Sequence, residues 1–226
     1  MKSTSNNSIV LAPSLLAGQQ GALIDSLKLA ECDGSNWIHL DIMDGHFVPN
    51  ISFGASTVKN LKEHSSAFFD VHLMLSNPDK HVESFIHAGA DSITLHVEPD
   101  YPIIETLTQI KNSGCKTGIA IKPETEIHIV EPYFDICDLI LIMTVEPGFG
   151  GQAFIPKSLD KINALSQLRS AKNYNFRIEV DGGINLENAV HCVQAGADTL
   201  VCGTSFFKAK DTIQFAQAIR SLGENA

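Results

Sequence analysis

Apolar residues recur along this chain in short runs set between amphipathic stretches, and the spacing within each run predicts its conformation. Eight runs are strand-like, at residues 9–13, 37–42, 69–73, 92–95, 116–121, 139–143, 177–180 and 199–202. Each carries apolar residues on at least one face, and helical stretches separate them, the pattern of a parallel sheet. Eight such units predict a closed (β/α)8 TIM barrel, one domain over residues 1–226 with a polar tail at 1–8. The stretch 77–88 illustrates the intervening helices. Asn77 is placed to cap it, Pro78 suits its first position, Val82, Phe85 and Ile86 form its buried stripe, and Gly89 stops it. The tetrapeptide Ala-Gly-Ala-Asp occurs at 88–91 and again at 195–198, ahead of the fourth and eighth strands, an echo expected of a barrel built from two similar halves.

Side chains alternate along a strand, so Ile38, Leu40 and Ile42 share one face of the second strand while His39, Asp41 and Met43 share the other. The third strand repeats this, with Val71 and Leu73 opposite Asp70, His72 and Met74. The seventh ends with Asp181 on the side away from Ile178 and Val180. In a TIM barrel the C-terminal strand ends carry the chemistry. His39, Asp41, His72 and Asp181 would meet there. Two imidazoles and two carboxylates suit one divalent ion, Zn²⁺ or Fe²⁺ first and Mn²⁺ or Co²⁺ after them. Either histidine alone is equally well read as a hydrogen-bonded barrel residue; the four together favour a ligand set. His46 is expected to shape a loop, and His96 with Glu98 to line the mouth of the fourth strand.

The formal net charge of −10 argues against nucleic acid as a partner, and no run approaches the roughly 20 apolar residues of a transmembrane helix. An anionic substrate would have to be held by backbone N–H groups instead of a Lys and Arg cluster. Three glycine turns offer them: Gly148, Phe149, Gly150 and Gly151 after the sixth strand, Gly182 and Gly183 after the seventh, and Gly203 with Thr204 after the eighth. Barrel enzymes build phosphate sites at the last two of these positions, and the first has the composition of a mobile lid. Met43, Met74 and Met143 are either core filler or an adaptable floor for a bound intermediate. Ser14 is either a turn residue or a donor to a substrate hydroxyl. The five cysteines, Cys32, Cys115, Cys137, Cys192 and Cys202, include no Cys-x-x-Cys pair. They predict free thiols in a reducing cytoplasm.

The motifs Leu-Ala-Pro-Ser-Leu-Leu, His-Leu-Asp-Ile-Met-Asp-Gly-His-Phe-Val-Pro-Asn, Val-His-Leu-Met, Val-Glu-Pro-Gly-Phe-Gly-Gly-Gln and Glu-Val-Asp-Gly-Gly-Ile-Asn closely resemble the ribulose-phosphate 3-epimerase family, from about Ile9 to Phe207. The resemblance implies interconversion of D-ribulose 5-phosphate and D-xylulose 5-phosphate in the pentose phosphate pathway. It implies metal ligands at His39, Asp41, His72 and Asp181, with Asp41 and Asp181 exchanging acid and base roles. Substrate contacts are implied at Ser14 and His72, and phosphate contacts at Gly148–Gly151, Gly182, Gly183, Gly203 and Thr204. The expected partners are a small pentose phosphate and further copies of the chain, with neither nucleic acid nor membrane. Two alternatives stay open, the sibling epimerase for D-allulose 6-phosphate and a non-catalytic phosphosugar-binding barrel. The sibling replaces one glycine of Gly-Phe-Gly-Gly and one of Asp-Gly-Gly, and this sequence keeps both. Both aspartates are retained as well, against the non-catalytic reading.

Overall fold

A computed structural model describes residues 8–31, 34 and 36–224. The polar tail at 1–7 and Cys32 lie outside the described residues. Eight parallel strands, β1 (Val10–Pro13), β2 (Trp37–Met43), β3 (Phe68–Met74), β4 (Ser92–His96), β5 (Lys116–Ile121), β6 (Leu139–Met143), β7 (Arg177–Asp181) and β8 (Thr199–Cys202), lie in the order β1-β8-β7-β6-β5-β4-β3-β2. The seam between β1 and β2 is held by a single parallel bridge, Ser14 to His39, so the barrel closes at a residue pair of the predicted site.

The intervening helices are α1 (Leu23–Glu31), α2 (Ala55–Lys62), α3 (Val82–His87), α4 (Ile103–Asn112), α5 (Ser158–Lys172), α6 (Leu186–Ala195), α7 (Thr204–Phe207) and α8 (Thr212–Ser221). Two details depart from expectation. Between β5 and β6 the chain makes only short 3-10 turns, Ile127–Ile129 and Glu131–Tyr133. The single helix expected at 77–88 is a 3-10 turn, Pro78–Lys80, followed by α3, and Asn77 makes no side-chain cap. Asn77 does stand at the N-cap with Pro78 after it, but its side chain donates to Ser76 Oγ and accepts from Lys80 Nζ instead of meeting the backbone. The apolar face still packs, with Val82 and Phe85 buried and Ile86 half-buried, and Gly89 ends the run at φ +90°.

The alternation sorts the strand residues into two cores. Ile38, Leu40, Val71, Leu73, Ile93, Leu95, Ile140, Ile142, Ile178 and Val180 face the helices, all with 0% exposure. Inside the barrel, the β5–β6 side is apolar, with Ala120, Leu139, Leu141 and Met143. The β2, β3, β4 and β7 side is polar, with His39, Asp41, Asp70, His72, Ser92, Thr94, His96 and Glu179, all buried. Half the barrel interior is thus reserved for chemistry instead of apolar packing.

The Ala-Gly-Ala-Asp echo has one job in both copies. Asp91 accepts from the backbone N–H of Phe69 and from Lys62 of α2; Asp198 accepts from the N–H of Ile178 and from Arg169 of α5. Each aspartate ties the start of its own strand to the preceding strand and helix. The cysteines Cys115, Cys137, Cys192 and Cys202 are free, as expected. No described helix is long and apolar enough to cross a membrane.

Candidate active site

At the C-terminal end of the barrel, one cavity of about 260 Å³ is lined by Ser14, Asp41, Met43, Met74, Met143, Asp181 and the three glycine turns. Every residue expected to contact substrate lines it except His72. Phe149 is half-exposed on the β6 loop, while the three methionines are buried below it. No lysine or arginine is among the described lining residues. Negative charge at the glycine end would therefore meet backbone N–H groups, as the acidic composition requires.

His39 and His72 sit beneath the cavity floor with 0% exposure and meet the cavity through Asp41. Asp41 Oδ1 is the meeting point, 3.2 Å from His39 Nε2 and 3.1 Å from His72 Nδ1. Its other oxygen, Oδ2, accepts from Ser14 Oγ at 2.7 Å. One ligand atom from each of His39, Asp41, His72 and Asp181 lies within 4.8 Å of the others. The Asp181 carboxylate accepts no hydrogen bond from the described residues. A divalent cation fits this donor set: two imidazole nitrogens and two carboxylates, one of which, Asp181, lacks a protein donor.

The same burial acts differently on each group. For Asp41 burial works against the charge, but the charge of His39 and its hydrogen bond outweigh it and hold the carboxyl well below its ordinary range. Asp181 has no such donors, so burial and then the Asp41 charge push it up to about 7. Burial alone would lower His39; flanking Asp41 and Asp70 raise it well above the usual imidazole value. His72 falls to about 4, from burial first, with the charges of His96 and His39 also opposing its protonation.

Three supporting groups were not assigned roles from the sequence. Asp70 Oδ2 accepts from His39 Nδ1 at 2.7 Å, which leaves Nε2 of that ring aimed at Asp41. Glu179 Oε1 lies 3.8 Å from the same Nδ1, and burial followed by the Asp70 charge raises its carboxyl well above the ordinary range. Asn50 Nδ2 donates to the Gly148 carbonyl at 2.8 Å, clasping the loop after β2 to the loop after β6. Asp70 and Glu179 were visible as inward positions by alternation, two residues before His72 and Asp181. Their service to His39 needs three strands to meet and has no local signature.

Other expectations are refined. His46 is exposed and does shape its loop, its Nδ1 lying 3.0 Å from the Asp44 carbonyl. His96 and Glu98 do not line the cavity; His96 is fully buried behind His72. Gly182 and Gly183, with φ of +122° and +67°, serve packing as well as any ligand. A Cβ on Gly182 would come within 2.4 Å of Val145, and one on Gly183 within 2.6 Å of the Phe154 nitrogen. The β6 loop thus lies directly against the end of β7. Gly150 and Gly151 in turn approach the Thr204 hydroxyl at the start of α7, the short extra helix after β8.

Comparison with known proteins agrees with this arrangement. The profile of the Ribulose-phosphate 3 epimerase family matches residues 10–207. The chain is 42% identical over 200 residues to ribulose-phosphate 3-epimerase of Treponema pallidum, covering 88% of this chain and 92% of that protein. It is 40% identical over 213 residues to ribulose-phosphate 3-epimerase of Bacillus subtilis, covering 94% and 98%. In structure it resembles 3-hexulose-6-phosphate synthase of Salmonella typhimurium, with TM-score 0.74 at 15% identity over 96% of this chain and 99% of that one, a likeness of fold alone. By sequence over nearly its whole barrel, the chain belongs to the ribulose-phosphate 3-epimerase family.

Proposed function

We propose that this epimerase interconverts D-ribulose 5-phosphate and D-xylulose 5-phosphate at carbon 3, as a step of the pentose phosphate pathway. The observation that carries the reading is that Asp41 and Asp181, from β2 and β7, bring carboxylate oxygens within 4.8 Å of each other at one cavity. Inversion next to a carbonyl requires a proton to leave one face of the carbon and another to arrive at the opposite face. Two carboxyl groups, one taking a proton and the other giving one, supply the two halves. Asp41 takes the carbon-bound proton while Asp181 donates to the other face; in reverse the roles exchange.

His39, Asp41, His72 and Asp181 would hold one divalent ion, Zn²⁺ or Fe²⁺ in first place, Mn²⁺ or Co²⁺ next. When bound, such an ion supplies positive charge beside the oxygens on which enediolate charge develops. The remaining work falls to the protein. Ser14 holds Asp41 through Oδ2, so the carboxylate is kept in one rotamer. Met43, Met74 and Met143 give the planar intermediate an apolar bed free of competing donors. Backbone N–H groups of Gly148 to Gly151, Gly182, Gly183, Gly203 and Thr204 receive the phosphate, and closure of Phe149 with its loop excludes water.

The test is incubation with D-ribulose 5-phosphate in D₂O, with D-allulose 6-phosphate in parallel, followed by NMR at carbon 3. Conversion to D-xylulose 5-phosphate with deuterium at C3, and little change in the second tube, is expected. Turnover of the allulose sugar alone would transfer the assignment to the six-carbon substrate, and exchange in neither tube with metal supplied would overturn the catalytic reading.

A further inference from the structure

The two histidines of the cluster face Asp41 through different nitrogens. His39 presents Nε2 and turns Nδ1 to Asp70, whereas His72 presents Nδ1 and turns Nε2 away from the cavity. Behind His72 lies no carboxylate but a second imidazole, His96, whose Nε2 is 2.9 Å from His72 Nε2. Two ring nitrogens at this distance share a single proton, so one ring donates and the other accepts.

Glu98 decides which. Its Oε1 accepts from the backbone N–H of Lys122 at 2.7 Å and from the Thr125 hydroxyl at 2.6 Å. Its Oε2 lies 2.9 Å from His96 Nδ1. A carboxylate with two donors on one oxygen is fixed as an acceptor on the other. His96 therefore carries its proton on Nδ1 and offers a lone pair at Nε2. With both rings neutral, His72 then carries its proton on Nε2, leaving a bare lone pair at Nδ1. That lone pair points at the ionised Asp41 oxygen 3.1 Å away, two acceptors face to face, an arrangement that a cation between them relieves. Phe47 packs at a tilt on the His96 ring with centroids 4.7 Å apart, and Lys122 Nζ lies 3.9 Å from the Phe47 centroid.

We propose that Glu98, acting through His96, is a positioning residue that locks His72 in the Nε2–H tautomer and so aims its Nδ1 lone pair at the metal position. The proposal rests on the metal reading given above but is read out separately from it. Glu98→Gln is the informative change because the Lys122 N–H holds the amide oxygen in the Oε1 position. The amide NH₂ then faces His96 Nδ1 and donates to it, His96 Nε2 becomes the donor, and the His72 proton moves to Nδ1, where it blocks the ligand lone pair.

Long-range ¹H–¹⁵N correlation spectra of the metal-stripped full-length protein report the tautomer directly. Expected is an unprotonated His72 Nδ1 in the wild type and a protonated one in E98Q, with Zn²⁺ affinity by chelator competition reduced about 10–100-fold in E98Q. A wild-type His72 protonated on Nδ1 overturns the proposal without need of any variant, as does E98Q with unchanged ¹⁵N shifts and unchanged Zn²⁺ affinity. A purely structural Glu98 would lower thermal stability while leaving the His72 nitrogen pattern in place. Failure of the wild type to bind any divalent ion, with the tautomer pattern as stated, would sink the metal reading and leave the relay standing.

Discussion

Asp41 and Asp181 bring their carboxylate oxygens within 4.8 Å of each other from β2 and β7, and the barrel treats the two acids oppositely. Asp41 is surrounded by Ser14, His39 and His72; Asp181 has burial and the Asp41 charge for neighbours. The asymmetry comes from Ser14 and His39, set beside Asp41 by the end of β1 and by β2.

Replacing either acid by its amide removes a proton carrier without changing shape. Asp41→Asn and Asp181→Asn are each expected to lower turnover by at least the ~10²–10⁴-fold typical of a lost acid or base. Deuterium incorporation at C3 measures the loss, and circular dichroism checks the fold. Near-normal turnover in either variant would remove that aspartate from the chemistry.

Metal uptake should release protons. Asp181 is raised to about 7 and His39 well above its ordinary value, so the metal-free protein holds protons that ligation must displace. Affinity for Zn²⁺ is expected to rise between about pH 5 and pH 8, with proton release visible by calorimetry in buffers of different ionisation enthalpy. The sign for folding is consistent. Both groups bind protons more tightly folded than unfolded, so below their unfolded values their contribution is fully present, and it fades as pH rises, for Asp181 between about 4 and 7. Asp41 runs the other way, stabilising above its unfolded value and losing that contribution only in strong acid. A flat metal affinity across that range would contradict these assignments.

Chelator treatment followed by desalting should abolish epimerisation, and Zn²⁺, Fe²⁺, Mn²⁺ or Co²⁺ added back should restore it to differing degrees. Full activity in protein shown by elemental analysis to lack divalent ions would remove the ligand role from His39, Asp41, His72 and Asp181.

Gly183→Ala should destabilise the protein by about 2 kcal/mol or more, since a Cβ meets the Phe154 backbone and φ is in the left-handed region. Gly21→Ala, with open space around it, should change stability by less than about 0.5 kcal/mol. Urea unfolding of the pair provides the comparison, and equal stability would mean the β6 loop does not rest on Gly183.

Asn50→Ala should loosen the loop after β6 by deleting the 2.8 Å bond to Gly148. One hydrogen bond of about 1 kcal/mol corresponds to roughly fivefold in kcat/KM. Unchanged steady-state kinetics would show that this clasp does not contribute to closure.

The strands, their inward faces and the four-residue cluster were legible because a period of two, written locally, assigns every side chain of a strand to a face. His39, Asp41, His72 and Asp181 declared themselves as polar residues on the inner face of otherwise apolar strands. The glycine turns were legible by position after β6, β7 and β8. Asn77 misled because its side chain is turned to Ser76 and Lys80 instead of the helix N–H groups, and the turns between β5 and β6 replaced a helix that local pattern did not distinguish.

What the sequence by itself determined was which residues face inward and at which end of the barrel they lie, since both follow from alternation and chain order. Only the tertiary structure decided their partners: that Asp70 backs His39, that His96 and Glu98 back His72, that Asp41 is rich in donors and Asp181 poor. Those relations join residues on different strands, and they depend on how the closed barrel sets the strands against one another, a property of the whole sheet that no single segment encodes.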